Sequence, residues 1–593
     1  MRLIKISAKS FFTLFAVMRL FHIQTRNPLS IILFLVFFYI YMKLQEDHFV
    51  SRINMKDLWL SNLLSLLFAG FTIANTYQTV LFDMENFIFC TVTLLSTAIG
   101  LIAIYYHLIL CLLQASDLVH ITGMAYQAPW LPYVTMLCCL ICWLPYFLHA
   151  YPGVMTPDSI NQYAQVLGVY ELSNHHSIVH TALIGMFYQL GLRFTNDVYF
   201  GLALYTLAQM IFMAFAAGYV VKTLQKADII TPILIAVICF YALMPYNGAL
   251  NVTIWKDIPF AGAMTIFCAA LLRFLLRPDA TLPTGDMSRF GRQRLKISEY
   301  FTLVAPYVFS GVLLCLLRPN GWYAFLLSLP FILFVYRSSW RTMVPIHLTI
   351  LALVLFVKYP CMNVYEIKQA DFVESLSVPV QQIACVIAQN KSLSEEELNF
   401  VSHIMDVTQV ASKYQPNVSD NIKNLIRETG SDYLEAHKTE FFQVWLSIGL
   451  SHPKAYFDAY VAQTNGYWYP DVSYDVGLVE GIYPNEFGLS WQPILRGNIV
   501  VKIKEILFKL HDIIPLYGTL WSIGLIFWIL LIAIAICLRS ENTANALICL
   551  PLAALVLTLS IASPVAAEFR YAYALFYAMP IFLAAPFVNT KNF

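Results

Sequence analysis

Long, uninterrupted runs of apolar residues dominate the chain and indicate its architecture. A bilayer core of about 30 Å requires about 20 apolar residues in a helix, and only a helix satisfies its own backbone hydrogen bonds in lipid. The pattern therefore predicts thirteen spanning helices, at residues 29–44, 58–82, 88–114, 130–150, 200–222, 230–250, 257–276, 300–319, 321–336, 343–360, 515–538, 545–563 and 570–588.

Two further apolar segments need a separate interpretation. Residues 4–23 follow basic residues but contain Arg19, and no small-residue cleavage site follows, which favours a membrane anchor over a removed signal peptide. We count this segment as a candidate fourteenth span. Residues 178–194 contain His180, Gln189 and Arg193, so we predict a helix that lies on the outer membrane surface within the external loop 151–199.

Lysine and arginine residues in the short loops predict the orientation of the chain. The loop 277–300 contains five of them, at Arg277, Arg289, Arg292, Arg294 and Lys296, which assigns it to the cytoplasm. Counting outward from that loop assigns further loops to the same side, at residues 45–57, 223–229, 337–342 and 539–544. The external parts are then 151–199, 251–256, the link at 320, 361–514 and 564–569.

One stretch, residues 361–512, differs in composition from the rest of the chain. It holds 11 Lys or Arg and 19 Asp or Glu residues, and Ser394 with Glu397 fits a helix capping box. We therefore predict an α-helical polytopic membrane protein with one extracytoplasmic soluble domain, which is α or α+β. The remaining chain divides into an N-terminal transmembrane extension, a transmembrane module and C-terminal transmembrane helices, at 1–129, 130–360 and 513–593.

Composition agrees with this division and excludes several classes of protein. Charged residues make up 12% of the chain and hydrophobic residues 59%, whereas soluble domains contain about 25% charged residues. A soluble enzyme of this length, a disordered chain and a nucleic-acid-binding protein with a basic surface are thereby excluded. The net charge of +1 arises because the acidic stretch 361–512 offsets basic residues elsewhere.

The cysteines predict neither a zinc site nor a disulfide framework. Of the 12 cysteines, all but Cys361 and Cys385 lie in apolar stretches, where cysteine behaves as a small hydrophobic residue. No set of Cys and His residues has the complete spacing of a zinc site. One disulfide between Cys361 and Cys385 is compatible with the sequence, but no spacing pattern supports it.

Charged and polar residues cluster at the predicted external ends of the spans. The predicted span centres contain almost no charges, whereas proton-coupled transporters place acidic groups there. The first external loop contains Asp158, His175, His176 and His180; three other ends contain Lys256 with Asp257, Arg318 with Asn320, and Glu568 with Arg570 and Tyr571. Each residue alone also fits an interfacial anchor, so the signal is their convergence on one face of the membrane.

Two of these features have a structural alternative. Asp158 follows Pro157 and precedes a helical pattern, so it also fits a helix N-cap. His176 and His180 are four residues apart on one predicted helical face, and with His175 they are either ligands of a divalent metal or, more commonly, interfacial residues.

The quoted residues resemble motifs of the GT-C superfamily of membrane glycosyltransferases, which take sugars from polyprenyl-phosphate carriers. In that superfamily a long first external loop bears a catalytic Asp, followed by a His/Pro-rich stretch and a surface-lying helix. Asp158 matches that Asp, NHHSIVHTALIG matches the second stretch, and EFRYAYALFYAMP resembles the C-terminal Arg-Tyr signature. The resemblance covers most of residues 130–593 and is greatest to uncharacterised bacterial members that share PDSINQ, NHHSIVHT, WKDIPF, SVPVQQIA and HPKAY.

The chain departs from the superfamily at two positions, because the usual second acidic residue is absent and Ser177 stands where proline is common. The resemblance implies an inverting glycosyltransferase with an extracytoplasmic active site in the cell membrane. Asp158 would activate the acceptor hydroxyl, and the cations Lys256, Arg318 and Arg570 would bind the polyprenyl phosphate. The three histidines would shape the sugar pocket, and the aromatic stretch Tyr467–Tyr469 would stack on the acceptor.

The expected partners are the polyprenyl-phosphate-linked sugar, a glycan, lipid or protein acceptor, and the lipid bilayer, with no nucleic acid. Two alternatives remain open from the sequence. A polysaccharide polymerase or ligase shares these features but uses a lipid-pyrophosphate-linked oligosaccharide. A lipid-linked sugar flippase or other transporter should show polar residues at mid-depth and internal repeats, and neither is visible in the sequence.

Overall fold

The computed structural model describes residues 1–46, 54–82, 84–123, 128–277, 297–472, 474, 476 and 479–590. Within these ranges the chain is helical, with isolated β-bridges and no β-strand. The α+β alternative for residues 361–512 is therefore wrong for the part that is described. The chain separates into two compact units, Met1–His120 with Trp528–Thr543 and Ile121–Phe527 with Ala544–Phe593.

The first unit contains the N-terminal helices α1 to α4, at Arg2–Leu20, Leu29–Glu46, Met55–Val80 and Phe87–Ala115. Its most polar contact joins Arg539 to two carboxylates. The Arg539 Nε donates to Asp57 Oδ1 at 2.6 Å, and Nη2 donates to Asp117 Oδ2 at 2.7 Å. Asp57 is fully buried, and since an isolated buried carboxylate is costly, this pairing stabilises the unit.

The second unit begins with α5 to α11, at Leu131–Ala150, Pro157–Val166, Ile178–Thr195, Val198–Lys226, Thr231–Leu243, Pro245–Asn251 and Asp257–Leu275. Every residue of α11 is buried, so this helix forms the centre of the unit. The α9 and α10 helices meet at an angle of 50°. The bend falls at Pro245, because proline lacks a backbone N–H and disfavours a helical conformation in the residue before it.

The chain continues with α12 to α15, at Ile297–Leu317, Pro319–Val335, Trp340–Phe356 and Met362–Val364. The residue between α12 and α13 is Arg318, whose backbone is extended because Pro319 follows it. This extended residue separates two apolar helices and carries a buried side chain. A π-helical turn, Val357–Cys361, connects α14 with α15.

The polar stretch folds into α16 to α23, at Ser377–Ala388, Glu395–Ile404, Val407–Lys413, Asp420–Thr429, Ser431–Ala436, Lys438–Ser451, Pro453–Trp468 and Asn498–Ile513. The apolar faces of α16, α17, α19, α21 and α22 form one shared core. The predicted capping box is confirmed, since Ser394 N donates to Glu397 Oε2 at 2.9 Å and Ser394 Oγ accepts from Glu397 N. Cys361 and Cys385 are free thiols, so no disulfide joins them.

The C-terminal helices are α24 to α27, at Ile523–Arg539, Ala546–Ala562, Phe569–Tyr577 and Met579–Ala584. The prediction of one continuous span over 570–588 is wrong. The segment is divided into α26, α27 and a 3-10 turn at Ala585–Phe587. Pro580 and Pro586 lie at these divisions, where each removes a backbone donor that a continuous helix would need.

In the part of the chain that the structure describes, seven helical segments are long and apolar enough to cross a membrane, which is typical of a multi-pass membrane protein. They coincide with predicted spans and run over Met55–Val80, Phe87–Leu118, Leu131–Ala150, Val198–Lys226, Asp257–Leu275, Arg337–Val364 and Thr543–Ala562. The bent α9–α10 pair is an eighth candidate. Four other predicted spans form shorter apolar helices, at Leu29–Leu44, Phe301–Leu317, Pro319–Val335 and Ile523–Arg539.

Three predictions about the membrane are not decided by these helices. The α1 helix contains four basic residues and is not among the candidate spans, so the fourteenth span stays a prediction. The α7 helix occupies the segment predicted to lie on the membrane surface, and that location also stays a prediction. The basic residues Arg289, Arg292, Arg294 and Lys296, on which the orientation depends, lie outside the described residues.

Candidate functional site

The backbone that precedes α6 is held between two distant parts of the chain. Val154 N donates to Val252 O at 3.0 Å, and Ile254 N donates back to Val154 O at 2.9 Å. On the other side, Met155 N donates to Gly481 O at 2.9 Å. These bonds fix where α6 begins, and therefore where its first turn points.

The first turn of α6 presents Asp158 to its surroundings. Thr156 is the N-cap and Pro157 the first helical residue, so the prediction of Asp158 as an N-cap is wrong. The Thr156 hydroxyl accepts a hydrogen bond from Trp255 Nε1 at 2.6 Å instead of capping the helix. A carboxylate in the first helical turn is favoured by the helix dipole, and the Asp158 side chain remains 33% exposed.

Arg570, at the start of α26, pairs with Asp158. Its Nη1 donates to Asp158 Oδ2 at 2.7 Å, and its Nε lies 3.5 Å from Glu568 Oε1. Burial alone would raise the pKa of Asp158, but the positive charges of Arg570 and Lys256 outweigh it and hold that pKa well below its usual value. Asp158 is therefore ionised at neutral pH. Burial raises the pKa of Glu568, although Arg570 partly opposes this effect.

Aromatic rings hold two arginine side chains side by side. The guanidinium of Arg570 lies 4.6 Å from the centre of the Trp255 ring and 5.1 Å from that of Tyr571. The Tyr571 ring also lies 4.4 Å from the guanidinium of Arg318. Cations over aromatic faces are stabilised by the ring quadrupole, so Tyr571 brings two guanidinium groups to one place.

Arg318 is the most deeply buried cation of this cluster. It forms an ion pair with Asp257, and the two side chains are only 7% and 1% exposed. The Nε of Arg318 is buried and has no hydrogen-bond partner among the residues that the structure describes. The guanidinium thus has hydrogen-bonding capacity that Asp257 does not use.

Lys256, the third cation of the cluster, contacts His176. Lys256 Nζ lies 3.1 Å from His176 Nδ1. Burial, followed by the charge of Lys256, lowers the pKa of His176 to about 2, so the ring is neutral and its Nδ1 can accept a hydrogen bond from Lys256 Nζ. Burial also lowers the pKa of Lys256, although the negative charge of Asp158 opposes this effect. His175 is exposed and contacts the His176 ring edge-on.

Two predicted substrate-binding residues have other contacts. His180 is fully buried, with Nδ1 at 2.8 Å from Gln162 Oε1 and Nε2 at 2.6 Å from Tyr205 OH. It therefore connects α6, α7 and α8 instead of lining a sugar pocket, which corrects the prediction. Asn320 donates to Thr558 Oγ1 at 3.0 Å and thereby connects α13 to α25.

The alternative in which His175, His176 and His180 bind a metal is not supported by the geometry. His176 precedes α7 whereas His180 lies within it, and their described partners are Lys256 and the Gln162–Tyr205 pair respectively. No group of three His, Cys, Asp or Glu side chains in the described part of the chain is arranged to hold a metal ion.

The model of one protein family matches residues 168–592, which is more than two thirds of the chain. That family is described as a family of unknown function, DUF6020. The chain belongs to the DUF6020 family. No curated protein and no solved structure matches it. The DUF6020 range contains the three cations of the cluster, while Asp158 lies shortly before its first residue.

In this DUF6020 protein, α22 holds the loop that leads to Arg570. Tyr467 OH lies 2.8 Å from Ser563 Oγ and donates to Val565 O at 2.8 Å, and Gln463 Nε2 donates to Ser563 O at 2.8 Å. Tyr467 and Trp468 are 0% and 5% exposed, so the predicted stacking surface is wrong for these two residues; Tyr469 is partly exposed, and for it the prediction stays a prediction. Tyr467 instead holds the loop that precedes Arg570 in place through its hydrogen bonds to Ser563 and Val565.

Sequence reasoning also missed Trp255, which contacts both Thr156 and Arg570. Its signal was present in the WKDIPF motif, where the tryptophan immediately precedes Lys256. A tryptophan beside buried charges has two uses, since its ring faces a cation and its N–H donates a hydrogen bond. Trp255 therefore couples the position of α6 to that of Arg570.

Proposed function

We propose that this DUF6020 protein is a membrane glycosyltransferase, related to the GT-C superfamily, that acts on the extracytoplasmic face of the cell membrane. It moves a sugar from a polyprenyl-phosphate carrier to a glycan, lipid or protein acceptor. One observation carries the proposal: Asp158, a partly exposed ionised carboxylate, lies beside Arg570 in a cluster that includes Lys256 and Arg318. A base and phosphate-binding cations are the two groups that this reaction needs.

In the proposed reaction, Asp158 accepts the proton of the acceptor hydroxyl. The acceptor oxygen forms a bond to the anomeric carbon of the sugar while the bond from that carbon to the phosphate oxygen breaks. The electron pair of the broken bond leaves with the phosphate, and the guanidinium groups of Arg318 and Arg570 stabilise its charge. Attack opposite to the leaving group inverts the anomeric configuration.

The ion pair between Asp158 and Arg570 makes the basicity of Asp158 depend on whether the donor is bound. While Arg570 donates to Asp158, the carboxylate is stabilised and is a weak base. A donor phosphate at Arg570 competes for the same N–H groups and adds negative charge nearby. Both effects raise the pKa of Asp158, so the base becomes stronger once the donor is bound.

The charge balance of the cluster suits an anionic donor. Lys256, Arg318 and Arg570 face the carboxylates of Asp158, Asp257 and Glu568. Because burial raises the pKa of Glu568, its neutral form is favoured over that of an ordinary glutamate. Protonation of Glu568 on donor binding would leave the cations in excess and favour the bound phosphate.

The test compares surface glycans of cells that carry the wild-type chain, a deletion, Asp158→Asn, or Asp197→Asn. Asp197 is an exposed carboxylate that caps α8, so its variant is a matched control outside the cluster. Loss of a general base lowers the rate by about 10²–10⁴-fold, so Asp158→Asn should reproduce the deletion and Asp197→Asn the wild type. A wild-type glycan with Asp158→Asn protein at normal abundance would contradict the assignment.

A donor assay separates this proposal from its alternatives. Purified protein is supplied either with a polyprenyl-monophosphate sugar or with a polyprenyl-pyrophosphate oligosaccharide. Transfer from the monophosphate supports the proposal, whereas transfer from the pyrophosphate alone identifies a polymerase or ligase. Movement of either lipid across a vesicle membrane without any transfer identifies a flippase.

A further inference from the structure

A cavity of about 300 Å³ lies at the end of α11 opposite to Asp257. The α11 helix has 19 residues, which corresponds to a length of about 28 Å at about 1.5 Å per residue. The cavity is therefore separate from the candidate functional site. Its polar lining comes from the end of α8, the end of α11, the start of α12 and the residues after α27, at Lys226, Asp228, Arg273, Arg277, Thr302 and Asn589.

Arg273 is the buried cation of this cavity. It is only 6% exposed, its Nε donates to Thr223 Oγ1 at 2.8 Å, and its guanidinium lies 3.8 Å from the centre of the Tyr219 ring. Its Nη2 is buried and has no hydrogen-bond partner among the described residues. A buried cation without a charged partner is costly, so the negative charge of an anion in the cavity would stabilise Arg273.

Helix dipoles explain only part of this arrangement. Cations near the C-terminal end of a helix are favourable, which accounts for the exposed Lys226 and Arg277. Arg273 also lies in the last turn of α11, but the helix dipole does not explain why this cation is buried. Among the described lining residues, these three cations face one carboxylate, Asp228. The cavity is thus electropositive.

Size and donor type indicate the class of ligand. Pockets for small molecules measure about 300–1,000 Å³, so this cavity accommodates a group of the size of a phosphate with a short polar substituent. A guanidinium fork matches the oxygens of a phosphate. The side chains of Thr302 and Asn589 add neutral polar groups to the lining.

We propose that this cavity binds a phosphate monoester. Its source is either the headgroup of a membrane lipid in the leaflet away from the candidate functional site, or a soluble phosphate compound. The proposal does not depend on the glycosyltransferase function, because no residue of the Asp158 cluster lines the cavity.

The test measures binding to the purified full-length chain in detergent, with phosphatidic acid and inorganic phosphate as probes. Arg273→Gln should weaken phosphatidic acid binding at least tenfold, and Arg277→Gln should weaken it several-fold, as expected for charge-assisted hydrogen bonds. Arg337→Gln is the matched control, because Arg337 is an exposed arginine outside the cavity. It should bind phosphatidic acid like the wild type.

The two probes distinguish the sources. Competition by inorganic phosphate identifies a soluble ligand, and phosphatidic acid binding without such competition identifies a lipid headgroup. The proposal is overturned if neither probe binds, or if Arg337→Gln weakens binding as much as Arg273→Gln. Should Arg273→Gln fail to fold, Arg277→Gln and Lys226→Gln decide, because both residues are exposed; unchanged binding in both would overturn the proposal.

Discussion

The ion pair between Asp158 and Arg570 joins two residues that are 412 positions apart in the sequence. The energetic coupling between them can be measured. The Arg570 side chain is 14% exposed and that of Asp158 is 33% exposed, with 2.7 Å between the paired atoms. We consider three variants: Asp158→Asn, Arg570→Gln and the combination of both. Each single change leaves the other group without its charged partner, whereas the double change removes both charges.

The partial burial of the pair determines the expected magnitude. Surface ion pairs contribute about 0–1 kcal/mol, and removing one partner of a fully buried pair costs about 3–5 kcal/mol. Since this pair lies between the two cases, we expect each single change to lower the free energy of unfolding by about 2 kcal/mol. The double change should cost little more than the worse single change, which gives a coupling energy of about 1–2 kcal/mol.

The assay is unfolding of the full chain in mixed micelles, titrated with a denaturing detergent and followed by circular dichroism. The Lys368–Glu171 pair, whose side chains are 66% and 74% exposed, provides a control cycle with an expected coupling below about 1 kcal/mol. If the two changes at Asp158 and Arg570 add to within about 0.5 kcal/mol, the residues are not coupled and the reasoning about donor competition fails.

Two further predictions concern residues outside this pair. The folded-state pKa of His180 is lowered to about 3 by burial, so below pH 6.5 the unfolded chain binds a proton that the folded chain excludes. Through His180 alone, stability should therefore fall by about 2 kcal/mol from pH 7 to pH 5. His180→Gln should reduce the total loss by this amount, whereas the exposed His175→Gln should keep the His180 share; identical pH profiles of His180→Gln and the wild type would refute the assignment. Gly466→Ala places a methyl group against the carbonyl oxygen of Ala566 and should lower the free energy of unfolding by about 1–3 kcal/mol. Gly70→Ala, which meets open space, should not, and equal melting temperatures for the two variants would contradict the prediction.

The sequence alone determined the features that depend on neighbouring residues. An apolar run of sufficient length forms a helix in lipid whatever surrounds it. Seven predicted spans accordingly form helices that are long and apolar enough to cross a membrane, among the residues that the structure describes. The capping box at Ser394 was equally predictable, because its two partners are three residues apart. Pro580 and Pro586 mark the break in the last predicted span in the sequence as well, although the apolar composition of residues 570–588 alone predicts one continuous helix.

Only the tertiary structure decided which polar groups meet. Local pattern could not distinguish an N-cap at Asp158 from a catalytic position, because the deciding partner, Arg570, is 412 residues away in the chain. His180 was grouped with His176 by spacing, yet the packing of α8 encloses His180 with Tyr205. The sequence around Tyr467 is typical of an exposed aromatic loop, whereas the structure buries Tyr467 against the loop before Arg570. Helices follow from local hydrogen bonds and apolar patterning, whereas the partner of a charged or aromatic side chain depends on how the helices pack against one another.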